Sequence, residues 1–192
     1  MTRTLAAAFL ATLATLPALQ GCAPAIIAAG VGATALVATD RRSTGAQVDD
    51  QSIELKIGTA VNGKYGAEVH VNATSYNGLV VLTGEVPNKT VEDDVVNVAR
   101  TTDRVRKVDN YLVIGPATEI GARTNDSYIT SKVKARFVES DKFSATHVKV
   151  VTERAVVYLM GIVTRAEGDD AARLASTTAG VTRVVKLFEY TN

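Results

Sequence analysis

The chain is 192 residues long, with 46% hydrophobic residues but only 5% aromatic and no Trp, which favours small, simply packed domains over one large core. Lys and Arg number 21 against 20 Asp and Glu, and this neutrality excludes a dedicated nucleic-acid binder. The balance is uneven: residues 49–115 hold 7 basic and 10 acidic side chains, a net of −3, and residues 125–192 hold 10 and 8, a net of +2, so the second half better suits an anionic partner.

The chain opens with Met1-Thr2-Arg3-Thr4, then an Ala/Leu-rich run over 5–19 broken by Thr12, Thr15 and Pro17. This is the layout of a secretory signal peptide, and the run is too short to span a ~30 Å hydrocarbon core with any margin. It ends Leu19-Gln20-Gly21-Cys22, and Cys22 is the only cysteine in the chain. A lone thiol in an exported protein has no intramolecular partner. The four residues resemble the lipobox of bacterial lipoproteins, which implies a signal peptide over 1–21, cleavage before Cys22 and acylation of Cys22. Several acyl chains on one cysteine anchor stably, since each buried methylene contributes ~0.8 kcal/mol. Ala23 follows, not Asp, and by resemblance to the lipoprotein sorting pattern this implies the outer membrane, lipid-anchored and facing the periplasm. Residues 22–48 read as an acylated tether. Its uncharged part, 23–39, also reads as a marginal membrane helix weakened by Gly30 and Gly32.

From residue 49 the patterning becomes that of a folded domain, expected over 49–117. Asp50 reads as an N-cap, followed by Ile53, Ile57 and Val61 at i, i+4 and i+8 of a helix. Strands are expected near 68–74 and 79–86, joined by the hairpin turn Asn77-Gly78. A second helix covers about 88–102, with Val91, Val95, Val98 and Ala99 on one stripe. A strand near 107–114 ends the unit.

After a linker over 118–124 the same order returns over 125–192. Residues 50–57 align with 126–133, His70-Val71 with His147-Val148, 79–86 with 156–163, and 104–108 with 180–184, at a constant offset of 76 to 77 residues. That regularity is a duplication. The second copy has Asp126 as N-cap, Ile129, Val133 and Phe137 along its first helix, and strands near 146–151 and 156–163 around a Glu153-Arg154 turn. A helix over about 165–179 and a strand near 183–190 follow. The fold class is therefore α+β: two tandem αββαβ domains, each a three-stranded mixed sheet with two helices on one face.

In the central strands, Val80, Leu82, Gly84 and Val86 share one parity, mirrored by Val157, Leu159, Gly161 and Val163. The opposite parity is also apolar, with Leu79 and Val81 in one copy and Val156, Tyr158 and Met160 in the other. A sheet wetted on one side alternates cleanly, so the bare faces are expected to pack on each other or on a partner.

Catalytic and metal chemistry find little support. His70 and His147 lie in separate domains without cysteine or a repeated nearby acid, a poor metal site, so no metal is expected. Glu92-Asp93-Asp94 and Asp169-Asp170 sit at helix starts, where acids complement the dipole. Gly30-Val31-Gly32 lacks the third glycine of a nucleotide loop. No nucleophile–base pair can be argued, and neither an enzyme nor a cofactor is expected.

The repeated helix opening Asp-x-x-Ile-x-x-Lys-(Val/Ile), with a strand ending Leu-x-Gly-x-Val, resembles the BON domain. With the lipobox and the stretch Ser43-Thr44-Gly45-Ala46-Gln47-Val48-Asp49-Asp50, the chain resembles the dual BON-domain outer-membrane lipoproteins over nearly its whole length. The resemblance implies a non-enzymatic protein that supports outer-membrane integrity at the division site. It also implies that the second domain binds anionic phospholipid through its first helix, with outer-membrane or divisome proteins as further partners and no nucleic acid.

The residues themselves bear on that helix. At about 100° per residue, a core side marked by Ile129, Val133 and Phe137 turns Tyr128, Ser131, Ala135 and Val138 outward. Tyr128 and Val138, flanked by Lys132 and Lys134 with Arg136 nearer the core edge, form the expected phospholipid-binding set. A ring with a polar tip suits the headgroup boundary, and flexible cations there meet phosphates. The same pattern also describes an ordinary solvated face. Tyr128 stands where the family resemblance implies Trp, which implies shallower insertion. Lys142 and Phe143 extend the contact or, for Phe143, join the core. The corresponding face of the first copy, Ser52, Leu55, Thr59 and Asn62, is poorer, because Glu54 offsets Lys56. An alternative function is a periplasmic scaffold that binds an envelope protein or cell-wall component and meets the membrane only through its acyl anchor.

Overall fold

The computed structural model describes residues 40–191; Cys22, the signal segment and the uncharged stretch 23–39 lie outside the described residues. The first copy runs α1 (Thr44–Tyr65), β1 (His70–Tyr76), β2 (Leu79–Val86), α2 (Lys89–Thr101) and β3 (Lys107–Ile114). The second runs α3 (Ile120–Val138), β4 (Val148–Glu153), β5 (Val156–Val163), α4 (Arg165–Ser176) and β6 (Arg183–Tyr190). Short 3-10 turns, Gly66–Glu68 and Ala145–His147, lead into β1 and β4. In each sheet the central strand pairs antiparallel with its hairpin partner and parallel with the last strand. A parallel pair needs a crossover, which α2 and α4 supply. Among the described residues no helix is long and apolar enough to cross a membrane.

Both first helices start earlier than expected, and neither Asp50 nor Asp126 is an N-cap. The Ser43 side chain caps α1 by accepting the Ala46 amide at 3.1 Å, and α3 begins at Ile120, within the stretch expected as a linker. The extra turns, residues 44–49 and 120–125, carry no apolar residues at the i, i+4 spacing, so hydrophobic periodicity does not register them. Asp50 instead lies buried within α1, where its carboxylate accepts Ser75 Oγ (2.6 Å), the Asn77 amide (2.7 Å), the Gly78 amide (2.9 Å) and Arg42 (2.8 Å). Burial acts to raise its pKa, but these four donors prevail and hold the carboxyl below its usual range.

Asp126 does the same for the second hairpin, accepting the amides of Arg154 (2.7 Å) and Ala155 (2.8 Å). Both turns need two consecutive residues at positive φ: Asn77 (52°) with Gly78 (76°), and Arg154 (52°) with Ala155 (59°). The first pair is well suited to that backbone. The second is not, and its strain is offset by the Asp126 carboxylate. The turn thus falls one residue later than expected, with Glu153 still in β4. Gly84 and Gly161 are equivalent in a second way. A Cβ at either would lie 1.9 Å from the His70 carbonyl oxygen or 2.3 Å from that of His147, so only glycine lets the neighbouring strand approach.

Three apolar cores result among the described residues. The helix-covered faces enclose Ile53, Ile57, Val61, Val80, Leu82 and Val86 in one domain, and Ile129, Val133, Phe137, Val157, Leu159 and Val163 in the other. The third core joins the two sheets: Tyr76, Leu79 and Val81 meet Tyr158 and Met160, and Tyr111 packs on Tyr158 with ring centroids 5.0 Å apart. The bare faces therefore bury one another. Polar links close the seam, including Lys149 Nζ to Glu54 (2.6 Å), Asn72 to Glu153 (2.8 Å) and Asn77 to Glu189 (2.9 Å).

Candidate membrane interface

The orientation of α3 is set by Ile129, Val133 and Phe137, all fully buried against β4, β5 and α4. That commitment leaves the opposite side outward. Tyr128 is 62% and Val138 74% exposed, and Ser131 and Ala135 between them are exposed as well. The two apolar groups are ten positions apart, about 15 Å along the helix.

The three cations are held differently. Lys132 lies with Nζ 4.5 Å from the centre of the Tyr128 ring and donates to the Ala179 carbonyl, so it braces the ring it accompanies. Arg136 donates through Nη1 to the Leu174 carbonyl (2.7 Å), Thr177 Oγ1 (2.9 Å) and Thr178 Oγ1 (2.9 Å). It closes the end of α4, where a cation also complements the helix dipole. Lys134 is exposed and makes no ion pair among the described residues. Lys132, Ala135, Arg136, Thr177, Thr178 and Ala179 line a shallow depression of about 370 Å³ beside this face.

On another side of the same C-terminal stretch of α3 a cleft of about 480 Å³ opens between Val138, Phe137, Val148 and Tyr76. Arg42, Lys134 and Lys149 edge it, but Arg42 is paired with Asp40 and Asp50, and Lys149 with Glu54. Phe143 is core: it is buried and meets Phe137 edge-on at 5.1 Å, while Lys142 remains exposed 3.7 Å from Asp170. On α1, Leu55 is 70% exposed, but Glu54 is drawn into the domain seam by Lys149.

The BON domain model matches residues 49–116 and again 125–192. The chain belongs to the BON-domain family. It is 41% identical over 174 residues to the outer membrane lipoprotein DolP of Haemophilus influenzae, covering 90% of each chain. It is 32% identical to a 21 kDa hemolysin of Actinobacillus pleuropneumoniae over 79% of each chain, and 29% identical to the osmotically-inducible protein Y of Escherichia coli over 71% of this chain and 70% of that one. Like DolP, this tandem BON protein is a non-enzymatic outer-membrane lipoprotein, lipid-anchored on the periplasmic side.

The BON hairpins also assemble a cluster that sequence reasoning set aside. His70 pairs across the first hairpin with Glu85, and its Nδ1 lies 3.1 Å from Glu85 Oε2 and 3.7 Å from Glu153 Oε1 of the second BON domain. The hairpin register could have revealed Glu85: a two-residue turn at Asn77-Gly78 fixes Tyr76 opposite Leu79 and, six pairs on, His70 opposite Glu85. Glu153 arrives only through domain docking, which no local pattern encodes. Desolvation, burial acting to raise it, is opposed at Glu85 by the Thr118 hydroxyl and amide and by His70, which together lower its pKa. Glu153, buried with fewer donors, has its pKa raised by desolvation.

Proposed function

We propose that this outer-membrane lipoprotein uses the outward face of α3 in its second BON domain to bind anionic phospholipid, supporting envelope integrity from the periplasmic leaflet. One observation carries the reading: Tyr128 and Val138, both more than half exposed, bracket a helix face whose other occupants are small or cationic. Isolated exposed apolar residues are common. Two on one face, with Lys132, Lys134 and Arg136 beside them, match what an interfacial helix presents to headgroups and acyl boundary. Tyr128 and Val138 enter the boundary region, Lys134 meets phosphate freely, and Lys132 and Arg136 hold the depression beside the end of α4 electropositive.

The proposal assigns residues 1–21 as signal peptide, Cys22 as the acylated residue and 22–48 as tether, its end from Asp40 onward drawn into the fold. Residues 49–117 and 125–192 form the BON domains, and 118–124 is the link, its residues from Ile120 onward already wound into α3. The acyl chains keep the protein at the bilayer, and α3 selects the lipid beneath it. Outer-membrane or divisome proteins would dock on helical faces, because the two sheets occupy each other. Co-sedimentation of the unacylated chain with phosphatidylglycerol and phosphatidylcholine vesicles tests the reading. Binding to the anionic vesicles alone, weakened by Lys134→Glu, is expected; equal binding to both vesicles, or to neither, refutes it.

A further inference from the structure

We propose that His70, Glu85 and Glu153 form a binding site for a divalent transition metal of the zinc class, bridging the two BON domains. The proposal is independent of the lipid-binding reading. It starts from a juxtaposition that needs both domains: β1 supplies the imidazole, β2 one carboxylate, and the end of β4 the other. The ligand atoms lie within 4.8 Å of one another. Glu85 is 2% and Glu153 5% exposed.

The spacing suits the metal. Four ligands held tetrahedrally at ~2.0–2.2 Å are separated from each other by about 3.3–3.6 Å. Two of the edges, His70 Nδ1 to Glu85 Oε2 at 3.1 Å and to Glu153 Oε1 at 3.7 Å, straddle that range. Small side-chain rotations thus bring all three atoms onto one ion, leaving a fourth position for water. The donor set discriminates as well: one imidazole nitrogen with two carboxylates suits zinc and its neighbours, whereas calcium takes six to eight oxygens.

Electrostatics point the same way. Two carboxylates in a closed seam require cationic compensation. Glu85 accepts the Thr118 amide (2.9 Å) and hydroxyl and has Arg154 Nε 4.0 Å away, whereas Glu153 accepts only the Asn72 amide among the described hydrogen bonds, so a cation between them chiefly serves Glu153. A cleft of about 490 Å³, lined by His70, Asn72, Arg123, Asp126 and Glu153 among others, gives an ion access to His70 and Glu153, with Glu85 behind them. Asn72 stands where an orienting residue belongs: its Nδ2 is 3.3 Å from His70 Nε2 and donates to Glu153 Oε2 at 2.8 Å. With Nδ1 on the metal the ring proton lies on Nε2, and Asn72 keeps its bond to Glu153. Metal at this point ties the first domain to Glu153, one residue before the turn that Asp126 of α3 holds.

The chain supplies its own control, because it has two histidines and the second lacks the arrangement. His147 Nδ1 has Glu167 3.7 Å away, but in the second hairpin Val148 faces Gly161, which places apolar Ile162 where Glu85 stands in the first. The test is a zinc titration of the full, detergent-solubilised chain after chelator treatment, read through the histidine ring NMR signals. His70 signals should move with saturation at a single zinc per chain while those of His147 stay, and calcium should move neither. Calorimetry should show affinity falling tenfold or more in E153Q and in H70Q. Unmoved His70 signals at several-fold excess zinc overturn the site even if the variants do not fold. Folded E153Q binding zinc as tightly as the parent chain overturns it too.

Discussion

The Asp126 carboxylate accepts the Arg154 amide at 2.7 Å, tying the outward-facing helix α3 to the hairpin on which its domain is built. Asp50 holds the Asn77 amide at 2.7 Å in the first domain, so the duplication preserved a helix-to-turn clamp as well as a fold. In the second copy the clamp must hold two L-residues, Arg154 and Ala155, at positive φ.

Loss of that clamp should be costly. Asp126→Ala removes two charge-assisted bonds to a strained turn and is expected to destabilise the chain by about 3 kcal/mol. Ala155→Gly relieves the left-handed strain and should stabilise by about 1 kcal/mol. Urea unfolding of both variants checks the pair; an unchanged midpoint in Asp126→Ala would remove the clamp from the account.

The core shared by the sheets gives a second expectation. Val81 is buried among Tyr76, Leu79, Tyr158 and Met160. Val81→Asp places a charge there without a partner and should cost about 3 kcal/mol or more. Small-angle scattering should show the domains separated. An unaltered scattering curve together with parent stability would contradict the sheet-to-sheet packing.

A third expectation concerns acid. Glu167 accepts Arg41 at 2.7 and 2.9 Å, and chiefly through that pairing, against burial and with help from Thr164, its pKa is lowered to about 2. An unfolded Glu titrates near ~4.3. A pKa lowered on folding stabilises the native state above the unfolded value, and that contribution is lost as pH falls through about 2. With both partners part-exposed, Glu167→Gln should cost ~1 kcal/mol at neutral pH. The difference from the parent should shrink as pH drops below ~4.3 and vanish near pH 2; a pH-independent difference would exclude the linkage. Arg41 also donates to the Ile162 carbonyl at 2.9 Å, so this pair fastens the end of the tether to the second domain.

The parts legible in the sequence were those set by local repetition. Ile53, Ile57 and Val61, and Ile129, Val133 and Phe137, disclosed the buried sides of α1 and α3 through period alone. The outward positions of Tyr128 and Val138 followed by geometry. The apolar second parity of β2 and β5 announced the shared core. Helix starts were misplaced because a buried Asp before an apolar period looks like a cap whether it caps a helix or clamps a distant turn. Arg136 reads as a free cation in sequence, yet the end of α4 lies beside it in space and takes up its Nη1. Glu153 near His70 was out of reach for the same reason: docking of two domains, rather than any spacing within one, brings them together.

The measurement closest to the central claim follows backbone amide NMR shifts of the unacylated chain during titration with anionic and zwitterionic lipid micelles. The account expects shifts confined to α3 and the adjoining end of α4, present only with anionic lipid, lost in Tyr128→Glu and strengthened in Tyr128→Trp. Shifts centred on α1 around Leu55, or none at millimolar lipid, would contradict it and leave the acyl anchor as the sole contact with the membrane.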